Sequence, residues 1–157
     1  MTDNPPVPAS VPASVPASTT PGDSLLDVMN GNLGALNERM GVEFLEVAPE
    51  RIVARMPVEG NTQPYGLLHG GASVVLAETL GSVGASLAAG PGRAAVGIDI
   101  NATHHRAARS GWVTGTATPI SIGSTLVSYQ ITIRDEADRL LCTSRITCMV
   151  RDRPPAS

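Results

Sequence analysis

The 157 residues carry a net charge of -3, and all 11 residues counted as Lys plus Arg are Arg. A mildly acidic chain without a basic cluster argues against nucleic acid as a partner, and the absence of Lys excludes Schiff-base chemistry and a phosphate-binding P-loop, both of which need the amine. Aromatic residues make up only 3% of the chain, so the core has to be built from Val, Ile, Leu and Ala, and a core this lean is often completed by oligomerisation.

Residues 1–23 contain Val-Pro-Ala-Ser three times, starting at Val7, Val11 and Val15, with Pro5, Pro6 and Pro21 alongside. This composition predicts an extended, disordered tail. It lacks the basic start and apolar run of a secretory signal, and no later segment reads as long and apolar enough to span a membrane. The expected organisation is a tail over 1–23, one domain over 24–153 and a short C-terminal tail over 154–157. Within the domain, Ser24 to Met29 and Leu33 to Met40 read as two short helical pieces broken by Asn30-Gly31-Asn32, covering an edge or an entrance. Val42 to Val47 and Ile52 to Val58 then form a β-hairpin around Pro49-Glu50-Arg51.

Gln63 to His69 reads as a loop feeding a helix that opens at Gly70-Gly71 and ends near Gly90-Pro91-Gly92. A Gly pair at a helix mouth leaves backbone N–H groups unobstructed, and with the helix dipole they favour a negatively charged oxygen. Packing and capping are the plainer role of such a pair. Glu78 is the only charged residue between His69 and Arg93, and a carboxylate in so apolar a helix is costly unless partnered. Gly70 and Glu78 lie roughly 12 Å apart along a helix axis. One chain can hardly aim both at one atom, so a shared site would be assembled from two subunits. Ser82, one turn beyond Glu78, falls on the same face and can hold the carboxylate or a water.

The remainder reads as strands: Ala94 to Thr103, Gly111 to Ile120, Ser124 to Arg134 and Leu140 to Arg151, with turns at Ala108-Arg109-Ser110, Ser121-Ile122-Gly123 and Glu136-Ala137-Asp138. Alternation in Val127 to Ile133 marks an antiparallel sheet with one buried face. Cys142 and Cys148 share a face of one strand but lie about 20 Å apart at strand rise, too far to bridge. Reduced thiols and the lack of a Cys-His cluster predict no structural metal and a cytoplasmic protein. His104 and His105 point to opposite faces at a strand end and do not form a metal pair. Two strands, a small-residue helix carrying Gly81 and Gly84, and four more strands describe an α+β domain in which a curved six-stranded antiparallel sheet wraps one long helix, an arrangement that looks like the hotdog fold.

Gly66 to Ser73 with Leu76-Ala77-Glu78 resembles the signature of hotdog acyl-CoA thioesterases. Ile98 to His104, Arg106 to Gly111 and Ile122-Gly123-Ser124 extend the resemblance to the 1,4-dihydroxy-2-naphthoyl-CoA thioesterases of menaquinone synthesis and to relatives that hydrolyse 4-hydroxybenzoyl-CoA. It covers roughly Leu33 to Val150. It implies that Glu78 acts as nucleophile or general base, and that the Gly70 N–H polarises the thioester carbonyl with Gln63 and His69 beside it. Ser82 would support Glu78 or the water. The pantetheine arm would pass Val96-Gly97, and the nucleotide would lie near His104, His105, Arg106, Gly123, Ser124 and Thr125, where Arg106 and Arg109 can meet phosphates. Relatives vary at the position of Thr125. The resemblance further implies a dimer of dimers with sites at the dimer interface, coenzyme A as part of the substrate, and no other cofactor. Two further readings are open at this level: a hotdog dehydratase or hydratase acting on hydroxyacyl thioesters, and a non-catalytic acyl-CoA binding module.

Overall fold

The computed structural model describes residues 24–152, so the expected tail over 1–23 and residues 153–157 lie outside the described residues. Ser24 starts the first helix, α1 (Leu25–Asn30), through a capping box: its hydroxyl accepts from the Asp27 N–H while Asp27 reaches back to the Ser24 backbone. Gly34 and Gly41 flank α2 (Ala35–Met40), with φ of 76° and 69°, a left-handed region in which glycine alone is unstrained. β1 (Glu43–Ala48) and β2 (Arg51–Pro57) form the expected hairpin. After the long helix α3 (Gly70–Ala89) come β3 (Arg93–His104), β4 (Trp112–Ile122), β5 (Leu126–Asp135) and β6 (Leu140–Asp152).

All pairings are antiparallel, and the strand order is β1-β2-β4-β5-β6-β3. The open sheet wraps α3, the hotdog arrangement that the resemblance implied, and β1 and β3 are its edges. The predicted turn at Ser121-Ile122-Gly123 needs correction. A bulge between Pro119 and Ser121 shifts the register, Ser121 and Ile122 stay paired with Ser128 and Val127, and the reversal falls at 123–125.

Burial follows the pleat, since Val127, Tyr129, Ile131 and Ile133 of β5 alternate inward and meet Leu76, Leu80 and Ala77 of α3. Burying each such Leu or Ile contributes about 2–3 kcal/mol. Leu76 and Leu80 lie over Gly115 of β4, where a Cβ would collide with the Leu80 side chain. Gly81 and Gly84 let Ile146 and the Tyr129 ring approach the helix backbone in the same way. The Tyr129 hydroxyl, buried with its ring, donates to the Pro49 carbonyl at 2.6 Å, and burial pushes its pKa up to about 12. One expectation fails in its literal form: α3 is long and apolar enough to cross a membrane by length and composition. Its apolarity has another destination here, because this helix is the centre of the core and packs on all six strands of the sheet.

Gly84→Ala tests the close approach. The new Cβ would lie 2.6 Å from the Tyr129 ring, and overpacking should cost about 1–3 kcal/mol, outweighing the roughly 1 kcal/mol that Ala gains over Gly in a helix. Urea unfolding should show a lower midpoint; an unchanged or raised midpoint would contradict this packing.

Candidate active site

The loop before α3 is closed by its own backbone. Gln63 N–H donates to the Leu67 carbonyl at 2.8 Å, Gly66 N–H to Gln63 at 2.9 Å, and His69 N–H to Asn61 at 2.9 Å. Gly66 makes the tight reversal with φ of 69°. Leu68 N–H donates to Ala108 at 2.8 Å, tying this loop to the segment after β3.

His69 is the N-cap of α3, with extended backbone and a ring that accepts from the Gly71 N–H at 2.8 Å through Nδ1. Acceptance at Nδ1 puts the neutral ring's proton on Nε2. The His69 carbonyl takes Ala72 N–H at 2.9 Å and Ser73 N–H at 3.4 Å. His69 thus occupies the amides that follow Gly70. The Gly70 N–H has no hydrogen-bond acceptor among the described residues, so the one amide left over at this helix mouth is the one an incoming oxygen can take. Capping thus takes the amide of Gly71 and leaves that of Gly70 without an acceptor among the described residues.

Glu78 lies about two turns on, half-buried, where α3 passes β3. Its Oε1 rests over Gly97, at whose position a Cβ would come within 2.5 Å. A glycine inside a strand marks close approach, and here the approaching group is the carboxylate. Ser82 Oγ lies 3.4 Å from Glu78 Oε1, a long hydrogen bond on the expected helix face. Cys148, paired with Gly97 across β3 and β6, lies under both. Burial, and then the Glu78 charge, push its thiol up, while a hydrogen bond from Ser82 acts the other way. The strand face of Cys148 is legible in the sequence; its neighbours on α3 are not.

The predicted carboxylate and the predicted amide line two different cavities, and His69, Gly97 and the 123–125 turn line neither. One, of about 410 Å³, holds Glu78 and Ser82 together with Thr79, Asn37, Leu33 and Phe44. The other, of about 420 Å³, holds Gln63, Gly70, His104, His105 and Arg106. His104 lies against Gly70, whose Cβ, if present, would sit 2.8 Å from the ring. His105 faces the other way, with Nε2 2.8 Å from Thr143 Oγ1. The 123–125 turn is elsewhere: Arg93, at the start of β3, donates to the Ser124 carbonyl at 2.8 Å, and Val150 N–H donates to Thr125 at 2.8 Å. His104 ends that strand, so within one chain the two proposed nucleotide contacts lie at opposite ends of β3. At strand rise that is roughly 35 Å.

Comparison with known proteins fits this geometry. The sequence profile described as Thioesterase superfamily matches residues 65–142. The 1,4-dihydroxy-2-naphthoyl-CoA hydrolase of Escherichia coli is 47% identical over 124 residues, 75% of this chain and 91% of its own. The proofreading thioesterase EntH of Cronobacter turicensis is 42% identical over 127 residues, 80% of this chain and 93% of its own. The crystal structure of a Haemophilus influenzae thioesterase superposes with a TM-score of 0.79 at 42% identity, covering 83% of this chain and 92% of that one.

The His69 cap makes a direct prediction. His69→Ala should destabilise the fold by about 1 kcal/mol, whereas His69→Asn, a strong capping residue, should recover most of that loss. Thermal unfolding of both variants measures it, and equal stability of the two would show that the ring does not cap the helix.

Proposed function

The chain belongs to the thioesterase superfamily, and we propose that this thioester hydrolase cleaves aromatic acyl-CoA thioesters at a site shared by two subunits. The observation that carries the reading is the division just described. A carboxylate suited to attack and an amide suited to hold an oxyanion open into different cavities of one chain, and an unpaired edge strand runs beside both. Along β3, Val96 and Ile98 are each 52% exposed, and Gly97 and Asp99 are exposed between and beside them. An exposed edge is a template for another strand.

Antiparallel pairing of two β3 edges about a two-fold axis near Ile100 would set Gly97 of one subunit opposite His104 of the other. Since Gly97 lies against Glu78 and His104 against Gly70, that pairing delivers one subunit's carboxylate to the other's amide. The same register brings the 123–125 turn toward the other subunit's Arg106, joining two nucleotide contacts that lie far apart in a single chain. A dimer of such dimers is the assembly we assign.

At the shared site the thioester carbonyl oxygen takes the Gly70 N–H, with Gln63 beside it. Glu78 either attacks the carbonyl carbon or removes a proton from an attacking water. A carbon–oxygen bond forms, the carbonyl electron pair moves onto oxygen, and collapse breaks the carbon–sulfur bond. The thiolate is a good enough leaving group to need little acid help. If Glu78 attacks, the resulting acyl anhydride is opened by water to regenerate the carboxylate. Ser82 steadies the carboxylate or water, and His69 orients the loop by capping rather than by proton transfer. Neither a metal nor an organic cofactor enters these steps.

The aromatic preference rests on the resemblance to 1,4-dihydroxy-2-naphthoyl-CoA and 4-hydroxybenzoyl-CoA thioesterases, and a place in menaquinone synthesis would follow from the former. The cavity beside Glu78 is large enough for a fused ring and has Leu33, Phe44, Val83 and Leu87 on its walls. The two buried cysteines are free, in keeping with a cytoplasmic setting.

Thiol release from aromatic and aliphatic acyl-CoA thioesters, by the wild type and by Glu78→Ala, tests the assignment. Loss of a positioned acid, base or nucleophile should lower the rate by at least about a hundredfold, with aromatic substrates preferred by the wild type. Equal release by the two proteins would remove Glu78 from the chemistry.

A further inference from the structure

The cavity beside Glu78 has one wall that the rest of the fold holds chiefly at its ends, where Leu33 and Met40 pack on the core. Helix α2 buries none of its residues, and its flanking Gly34 and Gly41 both have positive φ. A Cβ at Gly34 would meet nothing within 4 Å. At its C-terminal end α2 is tied down by Asn61, whose Nδ2 donates to the Met40 carbonyl at 2.8 Å and to Pro57 at 2.9 Å. Among the described residues one side-chain hydrogen bond ties it to the central helix. The Thr79 hydroxyl donates to Asn37 Oδ1 at 2.9 Å, while Asn37 Nδ2 donates to the Leu33 carbonyl at 2.9 Å.

Thr79 directly follows Glu78, and both line this cavity with Asn37. From there the lining continues along α3 through Ser82, Val83, Ser86 and Leu87, about 13 Å of helix. The Asn37–Thr79 bond therefore stands on the cavity wall next to the carboxylate, where Asn37 is the residue of α2 on the lining and Leu33 and Gly34 just before the helix line it too. The stretch beside Thr79 suits a flat ring, and a longer chain would run on toward Leu87 past the wall that carries this bond.

We propose that the Asn37–Thr79 hydrogen bond is a specificity latch, which fixes α2 over the acyl pocket and selects compact acyl groups over long chains. The proposal rests on the thioesterase reading of this cavity. Neither residue touches the reacting atoms. Both act through the position of the wall, so their loss should change which thioesters are cleaved more than whether any is cleaved.

Thr79→Val removes the donor at nearly constant volume, and Thr79→Ser retains it. Measured as kcat/KM for decanoyl-CoA relative to benzoyl-CoA, the ratio should rise about tenfold in Thr79→Val, the factor corresponding to one net hydrogen bond. Thr79→Ser should keep the wild-type ratio. Hydrogen exchange of residues 33–40 should quicken in the Val variant alone. An active Val variant with the wild-type ratio would overturn the selection, and unchanged exchange would overturn the latch. If the wild type released no thiol from any thioester, the thioesterase reading would fall and the selection with it, while exchange would still decide whether the bond holds α2 down.

Discussion

The architecture depends on how closely one helix approaches the sheet around it. With so few aromatic side chains to fill space, the chain brings backbone to side chain directly: Gly81 under Ile146, Gly84 under Tyr129, Gly115 under Leu80 and Gly97 under Glu78. The first three contacts are apolar and make the core. The fourth sits at the open edge of the sheet and brings a carboxylate to a glycine of β3. Dense packing tolerates few added atoms, so the glycines that close the core also fix where the carboxylate stands.

That placement leaves the carboxylate and the Gly70 amide in different cavities, and the difference follows from helix geometry. A helix sets groups eight residues apart about 12 Å apart along its axis, too far for both to reach one carbonyl. The same α3 carries both, so a two-fold axis is the economical way to join them. The exposed apolar residues of β3, the glycine at Glu78 and the His104 ring at Gly70 all lie along the line where a second copy would pair. In the proposed assembly, structure, chemistry and assembly become one requirement, in which the edge strand left open by the fold would complete the site.

Much of this was legible in the sequence, for stated physical reasons. Alternating apolar residues gave the strands, and Glu78 was conspicuous as the one charge in an apolar helix. The eight-residue spacing of Gly70 and Glu78 is equally plain in the sequence, and the structure puts the two on different cavities. What escaped the sequence depends on contacts between elements. The bulge at Pro119 extended β4 past the expected turn, and α3 met a membrane-helix test because a helix buried in a core and one buried in lipid share a composition. The seat of Glu78 on Gly97, the Cys148–Ser82 contact and the Asn37–Thr79 bond join residues distant in the chain. No local pattern encodes them.

The claim on which the account turns is that each site takes its carboxylate from one subunit and its amide from the other. Gly70→Pro removes the amide hydrogen at the first helical position, where the backbone tolerates proline provided the end of the His104 ring shifts from the added Cβ, and Glu78→Ala removes the carboxylate. Each variant alone should be close to inactive. A hybrid dimer carrying one subunit of each kind, isolated by two different affinity tags, should recover about half of the wild-type rate, because one of its two sites is then intact. A hybrid no more active than its parents would contradict the shared site.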